Sequence, residues 1–343
     1  MIAIAFAILA FGALAETADA QDADGAGSTF VAPMIAKWAA DYAKISGVKI
    51  AYDSVGSGAG IQKIEAGEVD FGATDKPLDP AELAKHGLCQ FPVVIGGVVP
   101  VVNLSGIAPG QIKFSGQLLA DIFLHKVTRW DAPEIRALNP NLTLPAMPIT
   151  VVHRSDGSGT TYNWTDFLAK SNAAWKAEFG AALSLNWPTG IGGNGNAGVA
   201  EAVFHTQGAI GYVEYAYALK NRLNIAQVAN RFGMFVPPTP ETFQAAAESV
   251  DWKRSQDFSV LMTNAGGAIA YPVTATTFIL MYKTPKDLSR ATTALKFFKW
   301  ALEYGDQQAN DLQYVALPPK LVLLIESYWK SHIRIQSLHA SVR

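Results

Sequence analysis

Val151-Val152-His153-Arg154-Ser155-Asp156-Gly157-Ser158-Gly159-Thr160-Thr161, running on through Tyr162 to Lys170, is the stretch on which the fold turns. Two β-branched residues end a strand, glycines make a turn, and Trp164, Phe167 and Leu168 recur at helical spacing. The free N–H groups at the start of such a helix attract anions. Taken alone, the turn reads more readily as a plain helix start capped by Ser158. Arg154 and Asp156 weigh against that reading. A guanidinium fixed by a neighbouring carboxylate is held rigid for bidentate oxyanion binding, and a plain turn needs neither charge.

The same design recurs upstream. Gly25 to Phe30 makes a flexible turn before Ile35, Trp38, Ala39 and Tyr42, which repeat at helical spacing. Val48 to Tyr52 reads as a strand, followed by Val55-Gly56-Ser57-Gly58-Ala59-Gly60 and a helix through Ile61 and Ile64. Val69 to Asp75 is a third short strand, and Pro77 and Pro80 force a turn before the helix at Ala81 to Lys85. In an open α/β sheet, ligands sit beyond the carboxyl ends of the strands, so Thr29, Ser57 and Asp75 are expected to converge.

Two longer apolar stretches read as crossings between lobes: Phe91 to Leu104, interrupted by Gly96-Gly97, and Ala268 to Tyr282. Composition alone fits two ordinary buried strands equally well. Between them lies a second α/β unit with a proline-punctuated loop from Asn139 to Pro148 and a helix at Ser171 to Phe179. Gly190 to Gly198 is its most flexible loop, and Gly208 to Val213 forms a turn into a strand. Leu288 to Tyr304 is amphipathic and is expected to pack back on the first lobe.

At 343 residues, 50% hydrophobic and 16% charged, the chain is globular and long enough for two lobes. A net charge of -2 argues against nucleic acid as the main partner, so selection of an anion has to be local. Met1 to Ala15 is almost wholly apolar, and Ala13-Leu14-Ala15 and Ala18-Asp19-Ala20 both fit a small-x-small cleavage rule. An export signal over 1–20 is expected, although no Lys or Arg precedes the apolar core. The one cysteine, Cys89, allows no intrachain disulfide and reads as a small buried hydrophobe.

Enzyme motifs fare poorly. Gly157-Ser158-Gly159 lacks the full Gly-x-Ser-x-Gly elbow of a hydrolase with Ser158 as nucleophile, and His153 lies at the wrong end of the same segment to serve as its base. The P-loop lysine is missing from Gly157-Ser158-Gly159-Thr160. No residues have metal-ligand spacing, so neither a metal nor a cofactor is expected. The tryptophans are scattered and read as core or rim packing.

Together, Gly25 to Pro33, Val55 to Gly58, Val69 to Asp75 and Arg154 to Thr160 resemble the periplasmic phosphate-binding proteins of high-affinity phosphate ABC transporters. Phe91 to Val99, Gly208 to Tyr215 and the Thr-rich Thr274 to Leu280 are similar to that family in the same order. The resemblance implies a two-lobed periplasmic-binding-protein fold of type II, with two α/β lobes joined by two crossing strands. Lobe I would be 21–96 with 275–343, and lobe II 97–274. It carries phosphate-binding roles to Thr29, Phe30 (backbone N–H), Ser57, Asp75, Arg154, Ser158, Gly159 (backbone N–H) and Thr160, with Asp156 bracing Arg154. It further implies a monomeric periplasmic receptor that hands phosphate to the permease subunits of an inner-membrane ABC transporter, without catalysis. Ser28 departs from the alanine common in the family, Gly58 from a second serine, and Thr74 from serine.

The donors in this set account for selectivity. An ionised Asp75 can only accept, so an anion site containing it makes sense when the ligand brings a proton. Phosphate at neutral pH does; sulfate does not. A proton-free oxyanion would leave lone pairs unmet in a dry cleft, at a cost of about 1 to 3 kcal/mol or more.

Overall fold

Small residues in β1 (Ala23–Gly27) let the Phe71 ring press against it: a Cβ on Gly25 would stand 2.1 Å from that ring. The computed structural model describes residues 22–335, so the expected export signal, 1–20, lies outside the described residues. α1 (Ala32–Ser46) has a proline in its first turn, buries Met34, Ile35, Trp38 and Tyr42, and stops at Gly47 in the left-handed region. β2 (Ile50–Asp53) and β3 (Phe71–Thr74) run parallel to β1 on its two sides, linked through α2 (Ser57–Ala66). α3 (Pro80–His86) begins with a capping box, in which Asp79 accepts the amides of Ala81 and Glu82 while Glu82 accepts that of Asp79.

β4 (Leu88–Val102) is buried along its whole length, as a continuous apolar run requires. Beyond it, β5 (Lys113–Phe114), α4 (Gly116–Phe123) and α5 (Pro133–Leu138) lead through the proline-punctuated loop to β6 (Thr150–Arg154) and α6 (Gly159–Ser171). The helix expected over Ser171 to Phe179 is shorter. Asn172 leaves helical geometry at φ -145° and caps the separate α7 (Ala173–Glu178) through the Trp175 amide.

The loop expected to be most flexible, Gly190 to Gly198, is instead ordered as β7 (Ile191–Gly193) and the start of α8 (Gly195–His205). Its glycines serve close packing: a Cβ on Gly193 would stand 2.5 Å from the Val199 nitrogen. β8 (Ala209–Glu214) and α9 (Tyr215–Lys220) follow. β9 (Asn224–Ile225) pairs with β4, while β10 (Gln227–Ala229) and β11 (Phe235–Val236) join β5 in a small sheet.

After α10 (Pro240–Glu248), the chain returns through β12 (Thr274–Tyr282). This return strand starts later than the expected Ala268. Pro272 has no N–H to give a ladder, and only an isolated bridge from Thr263 to Val273 precedes Thr274. α11 (Leu288–Tyr304), α12 (Asp306–Asp311) and α13 (Pro319–His332) complete the described chain. α11 packs on the first lobe as expected, with Phe298 edge-on to both Phe71 and Phe91 and Arg290 paired to Asp24 and Asp70.

The main sheet has the order β2-β1-β3-β12-β4-β8-β6-β7. β4 holds its two halves together by changing partner: Leu88 to Gly97 pair with β12, and Val98 to Val102 pair with β8. The fold is therefore two α/β halves about one shared sheet, the two-lobed arrangement that the resemblance implies, and the expected crossing at Gly96-Gly97 sits beside the switch. Pro92 falls where the β4–β12 register shifts, next to Thr277, a bulge that accommodates its missing donor. Cys89 is fully buried, and burial pushes its thiol up to about 12, which suits a small hydrophobe.

Candidate anion-binding site

Gly27 ends β1 at φ 142°, with its α-carbon so near β3 that a Cβ would lie 2.1 Å from the Ala73 carbonyl oxygen. The chain then turns through Ser28, Thr29 and Phe30, and each of these three carbonyls accepts a tyrosine hydroxyl. Tyr52 binds Ser28 at 2.8 Å, Tyr217 binds Thr29 at 2.9 Å and Tyr314 binds Phe30 at 2.7 Å. Ser57 opens α2, and its Oγ accepts the Asp75 amide at 3.2 Å. Asp75 follows the last residue of β3 and is buried. Thr29, Ser57 and Asp75 thus converge at the carboxyl ends of parallel strands, as their positions predict, with Phe30 beside Thr29.

On the facing lobe, β6 delivers Arg154 and the turn after it starts α6. Asp156 grips the guanidinium in a two-pronged pair, with Nε to Oδ1 at 2.7 Å and Nη2 to Oδ2, and also accepts the Gly195 amide at 3.0 Å. Burial works to raise the Asp156 pKa, but the Arg154 bonds and charge outweigh it and hold the carboxyl below its ordinary range. Arg154 Nη1 donates to Thr160 Oγ1 at 3.2 Å. Ser158 accepts the Thr161 amide at 3.0 Å, so the cap reading of this residue is correct in its own right.

The jaws meet directly. Gly58 N–H donates to the Gly157 carbonyl at 2.8 Å, and Asn163 Nδ2 donates to the Asp75 carbonyl at 2.8 Å. Asn196 Nδ2 donates to Thr29 Oγ1 at 2.8 Å and to Thr160 Oγ1 at 3.3 Å, while its Oδ1 accepts the Glu214 amide at 2.9 Å. At Gly159 a Cβ would stand 2.5 Å from Ser57 Oγ and 2.6 Å from Asp75 Oδ2. Only glycine allows this approach.

Among the described residues neither Asp75 nor the buried Glu214 makes a salt bridge, whereas Asp156 pairs with Arg154. Asp75 Oδ1 accepts from Thr277 Oγ1 at 2.6 Å, and Ser28 Oγ lies 2.7 Å from both Asp75 oxygens. Burial dominates the acidity of Asp75; the Thr277 and Ser28 hydroxyls, the Arg154 charge and Ser57 pull the other way, leaving the carboxyl pushed up to about 6. Glu214, also buried, is pushed by burial up to about 8.

All nine residues singled out in the sequence fall in this one cluster. One detail differs: the Phe30 amide, expected to point to a ligand, donates to Ser28 Oγ at 3.0 Å. Asn163, Asn196 and Thr277 escaped the sequence reading. The Thr-rich Thr274 to Leu280 run was the signal for Thr277, and the buried start of α8 explains Asn196. His153 has no part in the site. It stacks on Trp187, its Nδ1 lies 3.1 Å from the Arg154 carbonyl, and among the described residues no histidine hydrogen-bonds Ser158.

A family model described as the PBP superfamily domain matches residues 13–303. The phosphate-binding protein PstS of Xylella fastidiosa strain 9a5c is 51% identical over 310 residues, covering 90% of this chain and 85% of that protein. PstS of Pasteurella multocida is 46% identical over 332 residues, covering 97% and 96%. Among solved structures, a high-affinity periplasmic phosphate-binding protein, PfluDING, bound with phosphate, superposes with a TM-score of 0.71 at 21% identity, over 89% of this chain and 93% of that one. The phosphate-binding protein from Stenotrophomonas maltophilia gives 0.69 at 19% identity with the same coverage, so both share the fold. Matched by that model over most of its length and about half identical to such relatives, the chain belongs to the PBP superfamily and, within it, to the family of PstS proteins.

Proposed function

We propose that this chain is a receptor for inorganic phosphate, closing its lobes on the anion and delivering it to the permease of an ABC importer without making or breaking a bond. The observation that carries this reading is the meeting of Arg154, Ser158, Gly159 and Thr160 with Thr29, Ser57 and Asp75 in one buried cleft. Hydroxyls, amides and a guanidinium surround the Asp75 carboxylate. The Arg154 charge is balanced by Asp156, so hydrogen bonds and the α6 N-terminus, rather than net positive charge, would hold the ligand. Asp75 would accept the ligand's proton and disfavour sulfate, which has none to offer.

In this reading, lobe I comprises 21–96 with 275–343 and lobe II 97–274. The hinge lies where β4 changes partners and the return strand begins. The receptor acts as a monomer in the periplasm. One observation supports that setting: the solved neighbour PfluDING, which shares the fold, is a periplasmic phosphate-binding protein. Phosphate shifts the open and closed forms by its preference for the closed cleft.

Isothermal titration with phosphate and with sulfate tests the proposal. Micromolar or tighter phosphate binding with sulfate at least a hundredfold weaker is expected. Equal binding of the two anions would remove the role given to Asp75, and no phosphate binding would remove the receptor reading.

A further inference from the structure

Ser28 is buried, and its hydroxyl makes two kinds of contact inside the cleft. Its oxygen accepts the Phe30 N–H at 3.0 Å, and it donates toward Asp75, 2.7 Å from each carboxylate oxygen. Those are the two interactions that a protonated phosphate oxygen would make with the same partners: accepting from an amide and donating to a carboxylate. We propose that Ser28 competes with the ligand's protonated oxygen, and so sets both the affinity for phosphate and the margin over sulfate. The inference rests on the phosphate reading given above.

One N–H serves one good acceptor. A phosphate oxygen can take the Phe30 amide only if Ser28 Oγ gives it up. Asp75 has more capacity, but Thr277 already occupies Oδ1 and Ser28 lies across both oxygens, so the ligand's proton meets a carboxylate already served. Binding therefore exchanges hydrogen bonds rather than adding them, which lowers the net gain. The same hydroxyl blunts discrimination. A proton-free oxyanion that enters the cleft leaves Asp75 still bonded to Ser28, so the penalty for the missing proton is smaller than the carboxylate alone would impose.

Removing the hydroxyl while keeping the Cβ should reverse both effects. By calorimetric titration, Ser28→Ala is expected to bind phosphate roughly three- to tenfold more tightly than the wild-type chain, the scale of one net hydrogen bond. Its sulfate affinity should not rise, so the ratio between the anions widens. Unchanged or weaker phosphate binding by Ser28→Ala, with the wild-type chain binding normally, overturns this inference alone. Failure of both proteins to bind phosphate overturns the receptor reading, and this inference with it. Should Ser28→Ala fail to fold, a crystal structure of the wild-type chain with phosphate decides. Ser28 Oγ turned away from the Phe30 amide and Asp75 supports the competition, and Ser28 Oγ still bonded to both overturns it.

Discussion

Asn163, one turn into α6 on the second lobe, donates its side-chain amide to the backbone carbonyl of Asp75 on the first, at 2.8 Å, and to the Gly159 carbonyl at 3.0 Å. The residue that ties the helix start together thus also ties it to the opposite jaw. Asn163→Ala would leave two buried carbonyls without that donor, one of them only when the lobes are closed. Phosphate affinity is expected to fall by about 1 to 2 kcal/mol, roughly 5- to 30-fold. Titration calorimetry reads this directly, and unchanged affinity would show that the bond does not hold the cleft closed.

Asp75→Asn should weaken discrimination against sulfate, because an amide can donate as well as accept. It should also stabilise the protein in phosphate-free buffer. The folded carboxyl titrates near 6 instead of the ordinary 3.8. Between those values the folded chain holds a proton that the unfolded chain has lost, so the contribution of Asp75 to stability falls as pH rises from about 4 to about 6 and stays low above. The advantage of the variant in thermal melts should therefore grow through that window and level off, reaching about 1 to 3 kcal/mol at neutral pH. A pH-independent gap between the two proteins would contradict the burial argument.

Glu214 gives the same sign over a higher window. Its carboxyl is raised by burial from 4.5 to about 8, so its contribution is present below about pH 4.5 and is lost as the pH climbs through 8. Glu214→Gln keeps an acceptor for the Ala216 amide, which Glu214 binds at 2.9 Å, and removes the titration. Melting curves from pH 5 to pH 9 should show the variant gaining on the wild type as pH rises, with most of the gain complete by pH 8.

Gly159→Ala places a methyl group against Ser57 Oγ and Asp75 Oδ2, atoms of the other lobe. Each lobe can fold around it, but the two cannot close. The expected result is loss of at least a hundredfold in phosphate affinity, with a circular dichroism spectrum like that of the wild type. Binding within a few-fold of normal would mean that the jaws do not approach as closely as described.

Arg154→Ala removes the guanidinium and leaves Asp156 as a half-buried carboxylate with the Gly195 amide among its remaining partners. Phosphate binding should weaken by about 2 to 5 kcal/mol, much of it from the charge left unpaired. Titration with phosphate at several salt concentrations checks it. A loss that disappears at high salt would point to long-range steering instead of a direct contact.

Much of this was legible in the chain itself because local chemistry and tertiary role coincide. The glycines and hydroxyls after β1, β2 and β6 and the aspartate after β3 mark strand ends, and those ends form the site. Leu288 to Tyr304 is a helix with the predicted bounds, since Leu295, Phe298 and Leu302 bury together. Other features depend on partners distant in sequence. Asn163 is one polar residue in an amphipathic helix until Asp75 is placed opposite. Asn196 lies in a glycine-rich stretch that reads as flexible, yet those glycines allow β7 and α8 to pack without gaps. Thr277 is aimed at Asp75 beside a bulge caused by Pro92, nearly two hundred positions away.

Tyr52, Tyr217 and Tyr314 pin the carbonyls of Ser28, Thr29 and Phe30, but they do not come from the same side. Tyr52 and Tyr314 belong to the lobe that carries this turn, and Tyr217 belongs to its partner lobe. Parting the lobes therefore unfastens only the middle hydroxyl, and the turn keeps its shape through the two that remain. In the hinge motion proposed above, Tyr217 would exchange a peptide oxygen for water each time the lobes part. Its phenol would then be a natural reporter of that motion, readable by vibrational spectroscopy of a singly labelled tyrosine without any added probe.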